Sequence, residues 1–105
     1  LLQEEIKNVT IADDILERLL RMAEWSRNPE LFRYGMSPRS LGIFTSALRA
    51  HAFLSGRDFV IPEDGKNLIV PFFRHRISLR DAALGTKELE QMLEEAYRNI
   101  FRGLS

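Results

Sequence analysis

The sequence predicts an all-α protein, a small helical bundle with one central buried helix. Four stretches carry apolar residues at three- and four-residue spacing, which is typical of helices that bury one face. Prolines and glycines separate these stretches, and only two short segments have extended character. A chain of 105 residues fits one domain and can bury a core without disulfides.

Composition excludes several classes of function. Fifteen basic and fifteen acidic residues give a formal net charge of zero, which disfavours a strongly basic nucleic-acid binder. The chain has no cysteine, so disulfides, a catalytic thiol and cysteine-based zinc sites are excluded. No apolar run approaches the roughly 20 residues of a membrane span. The sequence begins at Leu1 without a basic segment or an initiator Met, and we expect an excised domain.

The first helix is predicted over residues 12–27. Thr10 is the expected N-cap, and two aspartates in the first turn favour the helix dipole. Asn28 and Pro29 end the helix, because a residue that precedes proline avoids the helical region.

The second helix is predicted over residues 38–55 and is expected to be the central one. Ser37 is the N-cap, Pro38 occupies the first helical position, and Gly56 closes the helix. Apolar residues cover much of its circumference, a pattern typical of a helix that is contacted on several sides.

The third helix is predicted from Pro62 to about residue 76. Ile61 precedes it and has no side-chain acceptor for a cap, and Pro71 is expected to kink or restart the helix. Extended segments flank it, and residues 58–60 are predicted to pair with residues 77–79 as an accessory to the helices.

The last helix is predicted over residues 87–101. Thr86 is its expected N-cap, and glutamates in its first turn favour the dipole. Its apolar residues form a single stripe along one face.

A search for catalytic chemistry finds little. The segment Gly65-Lys66-Asn67 is not a phosphate-binding loop, since Val60 stands where glycine is needed and Asn67 where Ser or Thr is needed. His51 and His75 have no partners at metal-ligand spacing, so no metal site is predicted. No serine lies in a nucleophile motif.

One polar cluster, residues 35–40, carries a candidate binding site. Arg39 lies in the first turn of the central helix, where a cation is electrostatically unfavourable. The placement makes sense if an anion binds there, with free N–H groups, the helix dipole and the guanidinium converging on a phosphate. The alternative is that Arg39 pairs with an acid of a neighbouring helix.

The order of motifs resembles the C-terminal lid domain of MoxR-type AAA+ ATPases over nearly the whole chain. The family pattern has a Thr-Arg-like pair, Gly-Ala-Ser-Pro-Arg, a long Ala- and Leu-rich helix, Gly-Arg-Asp-Tyr-Val-x-Pro-x-Asp and a His-Arg pair. The matching segments of this sequence are Ser26-Arg27, Gly35-Met36-Ser37-Pro38-Arg39, Leu41 to Leu54, Gly56 to Asp64, and His75-Arg76. Met36, Ile61 and Gly65 depart from the pattern and indicate a divergent member.

The resemblance implies a domain that closes over ATP. It implies that Arg39 is the second sensor, which reaches the γ-phosphate, with Ser37 and Pro38 beside it in the nucleotide site. It also implies that Arg27, His75 and Arg76 contact the ATPase core or a neighbouring subunit.

The remaining expectations also follow from the resemblance. Residues 1–8 would end a linker from the core, and residues 9–105 would form the lid. The core would bind ATP and Mg and hydrolyse ATP, whereas this segment would not be catalytic alone and would need no cofactor or metal. The parent would act as a cytoplasmic, chaperone-like hexameric ring, with a von Willebrand factor A-domain protein as a partner and without contact to membrane or nucleic acid.

Two alternatives come from other classes. A stand-alone, histone-fold-like module would contact protein or DNA through exposed arginines, for which the candidates are Arg33, Arg39, Arg49 and Arg57. Zero net charge argues against tight nonspecific DNA binding. The second alternative is a helical scaffold that offers an apolar groove to a partner helix.

Overall fold

The computed structural model describes residues 2–104. This part of the chain forms five helices and one two-stranded antiparallel sheet. In chain order the elements are α1 (Leu2–Lys7), α2 (Asp13–Trp25), β1 (Phe32–Tyr34), α3 (Pro38–Leu54), α4 (Pro62–Phe73), β2 (Ser78–Leu79) and α5 (Thr86–Ile100). None of the helices in this range has the length and apolar character needed to cross a membrane.

The predicted helical bundle is confirmed, and the four predicted helices correspond to α2 to α5. Their ends differ from the predicted ones by three residues at most, and the largest difference is at the end of α4. That helix continues through Pro71 and stops two residues later, at Phe73. Turn residues follow Phe73, and the Arg74 N–H still donates to the Val70 carbonyl at the end of the helix.

Two predicted N-caps are wrong. The N-cap of α2 is Ala12 and that of α5 is Gly85, and neither has a side-chain cap. Thr10 instead joins a backbone bridge with residues 58–60: its N–H donates to the carbonyl of Asp58 over 3.0 Å. A sequence pattern could not reveal this, because the partner lies 48 residues away.

The predicted pairing of residues 58–60 with residues 77–79 does not form. β2 pairs with β1 in an antiparallel ladder, with Phe32 opposite Leu79 and Tyr34 opposite Ser78. Residues 58–60 are occupied by the parallel bridge to Thr10. β1 was overlooked because three residues carry too little alternation to predict a strand.

Helix α3 packs between α1 and α4, and its buried side chains are Phe44, Leu48 and Ala52. The Phe44 ring lies edge-on to Phe73, with centroids 5.4 Å apart, a favoured aromatic geometry. The face of α3 opposite these buried side chains is not covered within residues 2–104, where Ile43 is 47% and Leu54 79% exposed. The all-round apolar pattern therefore exceeds what this domain buries.

A buried carboxylate joins α3, α4 and the loop between them. Asp64 is fully buried and accepts hydrogen bonds from His51 Nδ1 (2.6 Å), from both terminal nitrogens of Arg57 (2.7 and 2.9 Å) and from the Ile61 N–H (2.8 Å). The last bond caps α4 from inside the helix, which offsets the missing side-chain cap at Ile61. Burial of the Asp64 carboxyl raises its pKa, but these hydrogen bonds outweigh burial and lower the pKa to about 2.

Residues 2–7, predicted as the end of a linker, form α1 and pack against α3. The following segment is held as well, since Arg49 Nε donates to the Val9 carbonyl over 3.1 Å. The division of the chain at residue 9 stays a prediction, and Leu1 and Ser105 lie outside the described residues.

We predict that Asp64→Asn lowers the free energy of unfolding by about 3 kcal/mol, because it leaves the Arg57 guanidinium without its buried partner. The folded-state pKa of Asp64 lies below its unfolded value, so its contribution is complete above about pH 4 and is lost as the pH falls towards 2. Urea unfolding between pH 2 and 6 measures both effects. Asp58→Asn, at an exposed position, is the control. Equal pH dependence in the Asp64 variant and the unsubstituted protein would contradict this role.

Candidate functional site

The candidate site is the N-terminal end of α3. Ser37 is the N-cap as predicted: its backbone is extended and its Oγ accepts a hydrogen bond from the Ser40 N–H over 3.0 Å. Pro38 takes the first helical position, where a missing N–H costs nothing. Ser37, Pro38 and Arg39 are all exposed, so this end of the helix is open to a ligand or a partner domain.

The guanidinium of Arg39 has no ion-pair partner within residues 2–104. The ion pairs of that range are His51–Asp64, Arg57–Asp64 and Arg74–Glu90. The expected alternative, in which Arg39 pairs with an acid of a neighbouring helix, is therefore not what the structure has. An exposed, unpaired arginine at a helix N-terminus is suited to an anion, since the dipole there favours negative charge.

The backbone adds less to this site than expected. Pro38 has no N–H, and the Ser40 N–H is already bonded to Ser37. Two of the donors that a helix N-terminus normally offers are thus absent or satisfied. Phosphate recognition at this end would rest mainly on the guanidinium.

The segment that leads into α3 is fixed to the end of α2 by two side chains, which we call the Ser26–Arg27 clamp. The Met36 N–H donates to Ser26 Oγ over 2.9 Å, and Arg27 Nη1 donates to the Met36 carbonyl over 2.9 Å. Ser26 and Met36 are fully buried, so the Met36 side chain belongs to the core. The backbone of Gly35 lies so close to Ser26 that a Cβ would stand 2.0 Å from the Ser26 carbonyl oxygen.

Helices α3 and α4 run antiparallel, which brings separate motifs to the same end of the domain. The end of α3 meets the start of α4 through His51 and Asp64, whereas Phe44 meets Phe72 and Phe73 at the other end of α4. The start of α3 therefore lies at the end of the bundle where α4 stops. Arg39 and the His75–Arg76 pair therefore share this end of the domain.

The predicted interface residues differ in how much they are already bonded. Arg76 is half-buried: its guanidinium carbon lies 3.6 Å from the centroid of the Phe72 ring, and its Nη1 donates to the Phe72 carbonyl. His75 is exposed, and Arg74 Nε lies 3.3 Å from its Nε2. Arg27 belongs to the clamp. Of these three, His75 and Arg27 are exposed and Arg76 is half-buried.

Two of the four arginines predicted as candidates for DNA contact are instead bonded within the domain. Arg57 binds Asp64 and Arg49 binds the Val9 carbonyl, which leaves Arg33 and Arg39 fully exposed. A face of two arginines gives a weak electrostatic attraction for DNA phosphates.

Two other features bear on ligand binding. A groove runs between α4 and α5 from Pro62 to Pro71, and at its Pro62 end the Tyr97 hydroxyl donates to the Pro62 carbonyl over 2.6 Å. It shares no residue with the Arg39 end. Within residues 2–104, no group of three or more His, Cys, Asp or Glu side chains is placed to hold a metal ion.

Sequence reasoning missed the parts that hold the site in place. The sequence indicates Ser26 only as half of a motif, whereas in the structure its hydroxyl accepts from the Met36 N–H. Asp64 was seen only as a first-turn acid, although it contacts three other residues. An acidic residue three positions after the N-cap was an available sign of the one-way bond in which the Ile61 N–H donates to the Asp64 carboxylate.

Comparisons with known proteins show the family to which this fold belongs. The family model of the AAA lid domain matches residues 25–96. Protein MoxR of Paracoccus denitrificans is 42% identical over 72 residues, which are 67% of this chain and 21% of the relative. The chaperone MoxR1 of Mycobacterium tuberculosis is 36% identical over 93 residues, 79% of this chain and 24% of the relative.

Two further matches extend the comparison. The Bacillus subtilis protein YeaC is 34% identical over 82 residues, 78% of this chain and 26% of the relative. A crystal structure from Cytophaga hutchinsonii, described as a candidate ATPase, superposes with a TM-score of 0.78 at 25% identity and covers 89% of this chain and 32% of that one. The chain thus spans about a quarter of the length of its curated relatives.

The fold and the exposed helix end define a helical lid module. The chain belongs to the AAA lid domain family, and its relatives place it with the MoxR type. The predicted resemblance is confirmed, and nothing in these comparisons favours a histone-fold-like module.

We predict opposite outcomes for two glycine substitutions. Gly35→Ala places a methyl group against the Ser26 backbone and lowers the free energy of unfolding by about 3 kcal/mol, at the upper end of overpacking costs. Gly42→Ala, in α3 with open space around the new Cβ, raises it by about 0.5–1 kcal/mol through helix propensity. Chemical denaturation of both variants is the measurement. A Gly35→Ala variant as stable as the unsubstituted protein would contradict the close approach of Gly35 to Ser26.

Proposed function

We propose that this domain is the lid of a longer MoxR-type AAA+ ATPase and that Arg39 reports the presence of the terminal phosphate of ATP. The observation that carries the proposal is the exposed, unpaired guanidinium at the N-terminus of α3. Family membership supports it, and so do relatives that extend well beyond the matched segment.

The residues present fit an ATP terminus and do not fit a complete ATP site. Arg39 offers a planar, permanently charged donor that can bind a phosphate through two parallel hydrogen bonds. The sequence has no phosphate-binding loop, and no metal-ligand cluster is found within residues 2–104. ATP and Mg would therefore be held mainly by an N-terminal core domain of the same chain.

Arg39 would respond to hydrolysis because it would lose the γ-phosphate as its hydrogen-bond acceptor. ATP supplies a γ-phosphate, and hydrolysis removes that acceptor from the reach of the guanidinium. Because α3 is anchored by the buried residues Phe44 and Leu48, a pull on Arg39 would be transmitted to the whole bundle. The lid would then move as a rigid body with the nucleotide state.

Ser37 and Pro38 would position Arg39 and need not contact nucleotide. Ser37 is bonded to Ser40 and Pro38 fixes its own φ angle, so both define the first turn from which Arg39 projects. This assigns them to the nucleotide site as supporting residues.

We propose that the same end of the domain faces a neighbouring subunit of a hexameric ring. His75 and Arg76 lie at the end of α4, the end that Arg39 shares, and His75 is exposed. Arg27 belongs to this face through its contact with Met36. Lid motion at such an interface would pass from one subunit to the next.

The exposed apolar face of α3 is a surface that the ATPase core domain would cover. Ile43 and Leu54 are exposed within residues 2–104, and a core domain of the same chain would bury apolar area there.

A chaperone-like role in the cytoplasm, with a von Willebrand factor A-domain protein as partner, is the wider proposal. The printed name of the Mycobacterium tuberculosis relative, a chaperone, supports its first part.

We predict that Arg39→Ala in the longer ATPase lowers the preference for ATP over ADP by about 10- to 100-fold, the value of one charge-assisted hydrogen-bond pair. ADP affinity should stay the same, because ADP lacks the γ-phosphate. Equilibrium binding of ADP and of a slowly hydrolysed ATP analogue measures the preference.

Arg39→Lys tests the geometry, since lysine keeps the charge and loses the two-pronged donor; it should recover only part of the preference. Arg98→Ala, at an exposed position of α5, is the control and should change neither affinity. An Arg39→Ala variant with an unchanged ATP preference would overturn the sensor role.

A further inference from the structure

We infer that Arg27 is a positioning residue for Arg39: through the Met36 carbonyl it fixes where α3 begins, and thereby how far the Arg39 guanidinium reaches. The inference deepens the proposed function and rests on it. It gives Arg27 a role inside the lid, in addition to the interface contact that the family resemblance implies.

The contacts of Met36 carry this inference. Both polar groups of its backbone are bonded to the end of α2: the N–H to Ser26 Oγ and the carbonyl to Arg27 Nη1, each over 2.9 Å. The Ser26 hydroxyl in turn donates to the Ala23 carbonyl over 2.6 Å, so it is oriented by α2 itself. The hydroxyl proton is therefore directed at α2, which leaves the lone pairs of Ser26 Oγ to accept from the Met36 N–H.

Regular backbone hydrogen bonds do not fix the position of residues 35–36. The ladder between β1 and β2 is irregular between Phe32 and Tyr34, and its last pair is Tyr34 with Ser78. Helical hydrogen bonds begin with the Leu41 N–H, which donates to the Ser37 carbonyl. Residues 35–36 lie between these two regular structures, and the clamp supplies the hydrogen bonds of the Met36 backbone.

The two clamp residues contribute differently. Ser26 and the close approach of Gly35 fix the buried side of the segment. Arg27 lies at the surface and bonds the carbonyl that immediately precedes the N-cap. Its loss should leave the core intact and allow the first turn of α3 to shift, which is enough to weaken an interaction that depends on hydrogen-bond geometry.

The test is a double-substitution cycle in the longer ATPase, with ADP and a slowly hydrolysed ATP analogue as probes. We expect Arg27→Ala to lower the ATP-over-ADP preference by about three- to tenfold, the value of a single hydrogen bond. The pair Arg27→Ala with Arg39→Ala should match Arg39→Ala alone within about twofold, because a positioning residue has no effect once the positioned group is gone.

Two further variants separate positioning from general damage. Arg27→Lys keeps a cationic donor near the Met36 carbonyl and should restore part of the preference. Arg21→Ala removes an exposed arginine from α2, six residues before Arg27, and should leave the preference unchanged. A loss of stability alone would affect both nucleotides and would persist in the Arg39→Ala background.

The outcomes distinguish the inference from the proposed function. If Arg39→Ala lowers the preference and Arg27→Ala does not, the inference is wrong and the sensor role stands. If the two losses multiply in the double variant, Arg27 acts independently of Arg39 and the inference is wrong. If Arg39→Ala has no effect, the proposed function is wrong, and the positioning role is overturned with it.

Discussion

The contact between the Gly35–Met36 backbone and the end of α2 decides where the central helix begins. Two side chains bond both polar groups of Met36, and the missing Cβ of Gly35 lets the two backbones approach. The Met36 side chain is buried at the same point, so hydrogen bonding and core packing fix the same peptide. The exposed Arg39 follows three residues later, projecting from a first turn whose position is already set.

The opposite end of α3 is fixed by charge. Asp64 is buried and joins His51 of α3, Arg57 of the loop and the start of α4. A carboxylate in this position is stable only because every neighbour donates to it. With both ends of α3 held, the helix can transmit a displacement along its length instead of absorbing it. The proposed movement of the lid with nucleotide state would require such rigidity.

The sequence predicted the helices well because their signals are local. Apolar spacing, the Ser37 cap and Gly56, whose φ is +83°, all act within a few residues. It failed where partners are distant in the chain. Thr10 bonds the segment around Phe59, and β2 pairs with β1, more than 40 residues earlier. At the site, the motif indicated Arg39, but the supporting bonds from Ser26 and Arg27 depend on the folded path of the chain.

The central claim is that the clamped start of α3 presents the Arg39 guanidinium to a terminal phosphate held by a core domain. The most direct measurement is a crystal structure of the longer ATPase with a non-hydrolysable ATP analogue. The account predicts guanidinium nitrogens of Arg39 about 3 Å from oxygens of the γ-phosphate, with the Arg27 contact to Met36 retained. An Arg39 side chain directed away from the nucleotide, in a closed and fully occupied site, would contradict it.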